Sequence, residues 1–115
     1  MVLDVNNEGA SWVKLNVPGD LPAGRTGAGL AAVGQKMVLV GGSDGASNPG
    51  QAPAILYNDV SFFRPSANTW SLVSNVTGQI PSGRNQFGTP VVMNCSVYII
   101  GGVTETASMS TNELF

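Results

Sequence analysis

Few residues in this chain are of a type that does chemistry. Histidine is absent, which removes the commonest general base and metal ligand and every Ser–His or Cys–His dyad. The single cysteine, Cys95, has no partner for an internal disulfide and no companion for a Cys/His zinc site; it reads as a small apolar residue beside a strand. The run Gly27-Ala28-Gly29-Leu30-Ala31-Ala32 mimics a dinucleotide fingerprint. A working fingerprint follows a buried strand and opens a helix, whereas here a Pro/Gly loop precedes it and Gly34 closes it. Ser43-Asp44-Gly45 lacks the alternating acidic ligands of a calcium loop and reads as a tight turn. No catalytic residue, metal site or cofactor is expected from these residues. Arg25 and Arg84 remain, each in a Pro-x-x-Arg element. Such an arginine either grips a carboxylate on a partner or ties down the backbone carbonyls of its own loop.

The elements that must position these side chains are strands. Gly occurs 15 times and Pro 7 times, a mixture that suits short strands joined by many turns and disfavours helix. Charged residues make up 10% of the chain and the net charge is −2. The five Lys and Arg residues form no basic stripe, so no nucleic-acid partner is expected. The longest apolar runs, around residues 37–40 and 97–100, fall far short of a membrane-spanning helix. The start of the chain has no basic segment and no apolar core of signal-peptide length, which favours a cytoplasmic location. The sequons at Asn75 and Asn94 are no more than such a composition supplies by chance.

The chain repeats itself. Residues 12–42 read W-V-K-L, L-P-A-G-R, K-M-V-L-V-G-G, and residues 70–102 read W-S-L-V, I-P-S-G-R, S-V-Y-I-I-G-G. Trp12 and Trp70 are 58 residues apart, Pro22 and Pro81 are 59, as are Arg25 and Arg84, and Gly41 and Gly101 are 60. Four landmarks in one order with a drift of two residues mark a true internal repeat. Residues 36–40 and 96–100 predict strands buried on both faces and stopped by a Gly pair. Trp12 and Trp70 are expected as large apolar anchors. Asn58-Asp59-Val60 precedes an apolar strand at 61–63, and Asn112-Glu113-Leu114 echoes it.

These residues closely resemble the Kelch repeat, and the resemblance covers essentially the whole chain. The repeat is longer than that family's length of about 50 residues, and the excess lies in the Gly/Pro/Asn/Ser-rich loop 43–54. The resemblance implies an all-β fold, a Kelch-type β-propeller fragment of four-stranded antiparallel blades. Its strands, named a to d outward, fall at 2–5 (c) and 12–15 (d). A complete blade follows at 26–33, 36–41, 56–63 and 69–73. A last blade has strands at 85–93, 96–101 and a truncated 112–115. The expected domain division is a partial blade at 1–20, a complete blade at 21–75 and a truncated blade at 80–115. Because closed propellers use about 4–8 blades, further blades or further copies of the chain are expected to close the ring.

In the family, side chains just after the repeated arginine often line the mouth where peptides dock. The matching positions make Thr26, Asn85 and Gln86, with Arg25 and Arg84, the candidate partner-binding residues. The resemblance implies a protein-interaction module with a protein or peptide partner. The competing reading is a Kelch-like propeller enzyme, galactose-oxidase-like or sugar-processing, whose catalytic residues lie outside this chain. Tyr57, Tyr98 and Cys95 are present, but a copper-radical site also needs histidines, and there are none.

Overall fold

The computed structural model describes residues 1–45, 54–74, 77, 81–85 and 88–104. Strands β1 (Gly29–Val33), β2 (Lys36–Val40), β3 (Val60–Arg64) and β4 (Thr69–Leu72) form one antiparallel sheet in the order β1-β2-β3-β4. Strands β5 (Val91–Met93) and β6 (Ser96–Tyr98) form a second, two-stranded antiparallel sheet. No helix occurs among the described residues, and none is long and apolar enough to cross a membrane.

Turn chemistry sets the strand order. β1 and β2 are joined by Gly34-Gln35, with Gly34 at φ 58° in the first central position, the place where a two-residue hairpin demands glycine. β5 and β6 are joined by Asn94-Cys95 at φ 48° and 61°, a turn with both central residues left-handed. Cys95 is therefore an exposed turn residue and not the apolar strand neighbour expected from sequence. The Gly pair after β2 has a steric role. Gly42 sits at φ 98°, and a Cβ there would meet Ala28 Cβ at 2.9 Å and Thr26 O at 3.0 Å.

The registers divide the side chains of the first sheet between two faces. Val38 stands opposite Phe62 and Val40 opposite Val60. Val38 and Val40 form the core with Ile99, which directly follows β6, and Val33, Val60, Phe62 and Val97 pack against it. The hydrophobic core thus lies between the two sheets. On the other face Phe63 is buried and its ring lies 5.3 Å from that of Trp70. The outer edge of β4 is partly covered, because Trp70 N–H donates to Pro18 O and Asp20 N–H donates to Trp70 O. Gly19 allows this approach: at φ 101° it lies so close that a Cβ would collide with Trp70 O.

Several strands are shorter than expected. The stretch 26–33 is paired continuously only from Gly29, and 85–93 only from Val91, with isolated bridges Thr26–Ser43 and Asn85–Val103 at the far ends. Residues 2–5 and 12–15 meet only at a bridge between Val2 and Val13. The expected strand at 112–115 lies outside the described residues. The runs 36–40 and 96–100 are not buried on both faces. Met37 and Leu39 are half-buried, and Ile100 is 61% exposed. Trp12, expected as an anchor, is 62% exposed, whereas Trp70 stands opposite Phe63 and packs on its ring.

Burial ranks the consequences of truncation. Val38 is 2% exposed and Leu30 is 50% exposed. Val38→Ala is expected to lower unfolding free energy by about 2 kcal/mol, and Leu30→Ala by less than about 1 kcal/mol. Urea titrations of the two variants check this ranking.

Candidate partner-binding rim

The rim is built where β1 begins and β2 ends. Pro22-Ala23-Gly24 delivers the chain to Arg25, whose side chain turns inward and is 6% exposed. Its guanidinium makes four hydrogen bonds. Nε donates to Ala23 O at 3.1 Å, and Nη1 donates to Gly41 O at 2.9 Å and to Asp59 Oδ1 at 2.5 Å. Nη2 donates to Asp59 Oδ2 at 2.9 Å. The pair with Asp59 is the bidentate fork that arginine makes and lysine does not. The guanidinium carbon also lies 4.1 Å from the centre of the Tyr57 ring, an added cation–π attraction.

This brace fixes the next residue. Thr26 N–H donates to Ser43 O at 2.8 Å, and Ser43 N–H returns a bond to Thr26 O at 2.9 Å. Ser43 is 1% exposed, while Thr26 is exposed. Beyond it, Asp44 Oδ1 accepts from Ile55 N–H at 2.8 Å, and Asp44 N–H donates to Ile55 O at 3.2 Å. These bonds close the two ends of the long loop on each other.

The second repeat has the same construction. Arg84 is 2% exposed. Its Nε donates to Ser82 O at 3.2 Å and its Nη1 to Gly101 O at 3.0 Å, matching the Ala23 and Gly41 contacts of Arg25. Asn85 N–H donates to Val103 O at 3.1 Å and Val103 N–H to Asn85 O at 2.9 Å, matching Thr26 and Ser43. The two copies are joined through backbone. Gly42 N–H donates to Arg84 O at 2.8 Å, Arg84 N–H to Tyr57 O at 3.2 Å, and Tyr57 N–H to Gly42 O at 2.9 Å.

Of the five sequence candidates, the structure brings Arg25 with Thr26 and Arg84 with Asn85 to equivalent strand starts on one rim. Gln86 lies outside the described residues. Both guanidinium groups point into the protein. Sequence reading missed Asp59 and Tyr57 as partners of Arg25. The signal for Asp59 was its fixed place in the repeat, echoed by Glu113; nothing in the spacing singled out Tyr57. Among the described residues no group of three or more His, Cys, Asp or Glu is placed to hold a metal ion.

Arg25→Ala leaves the Asp59 carboxylate, 29% exposed, without its fork, and is expected to cost about 2–4 kcal/mol. Arg25→Lys keeps the charge, loses the fork and falls between. Amide hydrogen exchange at Thr26 and Ser43 should accelerate more than at Val38 in both variants, which distinguishes local loosening of the rim from global unfolding.

Known proteins place this architecture. The family model described as the KLHDC2/KLHL20/DRC7 Kelch-repeats domain matches residues 1–115. The Rho GTPase-activating protein gacHH of Dictyostelium discoideum is 31% identical over 98 residues, covering 85% of this chain and 6% of that protein. The tRNA wybutosine-synthesizing protein 4 of Candida albicans is 28% identical over 113 residues, covering 98% of this chain and 15% of that protein. Among solved structures, YjhT superposes with a TM-score of 0.68 at 26% identity, covering 90% of this chain and 28% of that one. The chain therefore spans a small part of the length of each of these three proteins. With its repeated landmarks, all-strand fold and matching family model, the chain belongs to the Kelch-repeat domain family, as a fragment of a Kelch-type β-propeller.

Proposed function

We propose that the chain is a protein-interaction segment of a Kelch propeller scaffold, divided into blades at 1–20, 21–75 and 80–115. The observation that carries this reading is the duplicated brace. In both repeats a buried arginine fixes the strand start opposite the Gly pair. The following residue, Thr26 or Asn85, then has its backbone bonded, with Thr26 exposed and Asn85 half-buried. Rigid strands carrying contact residues at their ends are how repeat proteins make binding surfaces. The two curated relatives add support. They bear unrelated names, yet each shares this segment as a small share of its length, as expected of a scaffold and not of a catalytic unit. The partner read by this rim is a protein or peptide, met by the side chains of Thr26, Asn85 and Gln86. Arg25 and Arg84 act by holding the backbone that presents them.

The test is a triple variant, Thr26→Ala with Asn85→Ala and Gln86→Ala, compared with the parent chain in affinity capture from its native cells. The thermal midpoint should stay within a few degrees, while recovery of associated polypeptide falls by about tenfold or more. Unchanged recovery from a folded triple variant would sink the reading.

A further inference from the structure

The two hairpins repeat one another residue for residue. Both turn on two residues, Gly34-Gln35 and Asn94-Cys95, and the closing pairs Val33↔Lys36 and Met93↔Ser96 coincide. A shift of 60, the spacing of Gly41 and Gly101, therefore carries Met37, Val38, Leu39 and Val40 onto Val97, Tyr98, Ile99 and Ile100. It carries Leu30 onto Pro90 in the same way.

Successive residues of a strand point to opposite faces, so each hairpin has two. Between the sheets, Val38 and Val40 of the first hairpin meet Val97 and Ile99 of the second. Pro90, one register step beyond Val91↔Tyr98 and so opposite Ile99, is buried as well. One face of the first hairpin thus packs on the opposite face of the second.

Each hairpin also carries the face that its counterpart uses. On the second hairpin, Ile100 is 61% exposed where Val40 is 7% exposed, and Tyr98 is half-buried where Val38 is buried. Val91, on the same rung as Tyr98, is exposed. On the first hairpin, Leu30 is exposed where Pro90 is buried, and Met37 and Leu39 are half-buried. An open cleft of about 380 Å³ lies on this face beside Ala32 and Met37. Both halves of the internal interface therefore occur a second time, open to solvent and apolar.

From this we infer that the chain docks head to tail on a second copy of itself. The Val91/Tyr98/Ile100 face of one copy packs on the Leu30/Met37/Leu39 face of the next, repeating between copies the contact that joins the two sheets within one. The interface already built inside the chain identifies the occupant, since equivalent residues there bury one another. A contact between two different surfaces leaves one of each free at the ends, so association continues beyond two copies. Docked in this order, the next copy's Thr26 follows Asn85 along the row of strand starts. That extension of the rim rests on the partner-binding role proposed for it, whereas the docking itself does not.

Sedimentation velocity of the full chain over about a hundredfold range of concentration should show its mean mass rising above that of one chain. In the ¹⁵N spectrum, raising the concentration should broaden the amides of Leu30, Met37, Tyr98 and Ile100 most. Leu30→Asp and Ile100→Asp each place a charge on one apolar face at an exposed position. Each variant is expected to fold and to associate at least about tenfold more weakly than the parent. Mixed in equal amounts, they are expected to form a discrete two-chain species, because each retains the face the other has lost. A parent that stays monomeric, or broadening centred on other residues, overturns the inference without reference to any variant. Either variant associating as strongly as the parent overturns it too, as does an equal mixture of the folded variants that remains monomeric.

Discussion

The guanidinium of Arg25 is held from three directions, by the Asp59 carboxylate, by the carbonyl oxygens of Ala23 and Gly41, and by the face of the Tyr57 ring. That cluster joins the linker before β1, the Gly pair after β2 and the segment leading into β3. A buried charge needs a partner and saturated donors, because an unpaired one costs several kcal/mol (about 3–5 when a buried pair is broken). The same requirement that makes the arginine costly to bury makes its surroundings specific. Once Arg25 is satisfied, Thr26 and Ser43 are in register, and the loop that follows is closed by Asp44.

The second repeat uses the same device, and the two are coupled. The backbone bonds among Gly42, Tyr57 and Arg84 lock one arginine's environment to the other's. Apolar packing is separate from this network. Val38 and Val40 meet Ile99 between the sheets, so burial sets how the sheets stack and the arginines set how their ends align. Neither alone would place Thr26 and Asn85 at equivalent positions.

How much of this could be read from sequence depends on whether a residue's role repeats. The runs 36–40 and 96–100, the glycine stops and the paired arginines appear twice at nearly constant spacing, and the structure has strands at Lys36–Val40 and, shorter than read, at Ser96–Tyr98. What the repeat does not fix, burial and contact partners, was misjudged or unseen. Cys95 looked like a strand neighbour because small apolar residues usually are, but the two-residue turn forces it to φ 61° and into solvent. Trp12 shares its sequence context with Trp70 but lacks the Phe63 ring to pack on. Asp59 was visible only as a landmark, since a link across 34 residues leaves no trace in local spacing.

The central claim is that the Arg25–Asp59 fork, and not either residue's general polarity, organises the rim. A double-mutant cycle on Arg25→Ala and Asp59→Ala, read by urea unfolding, measures that coupling directly. The account predicts a coupling energy above about 1 kcal/mol, with the double variant losing much less than the sum of the singles. Additive losses, with a coupling energy near zero, would contradict it.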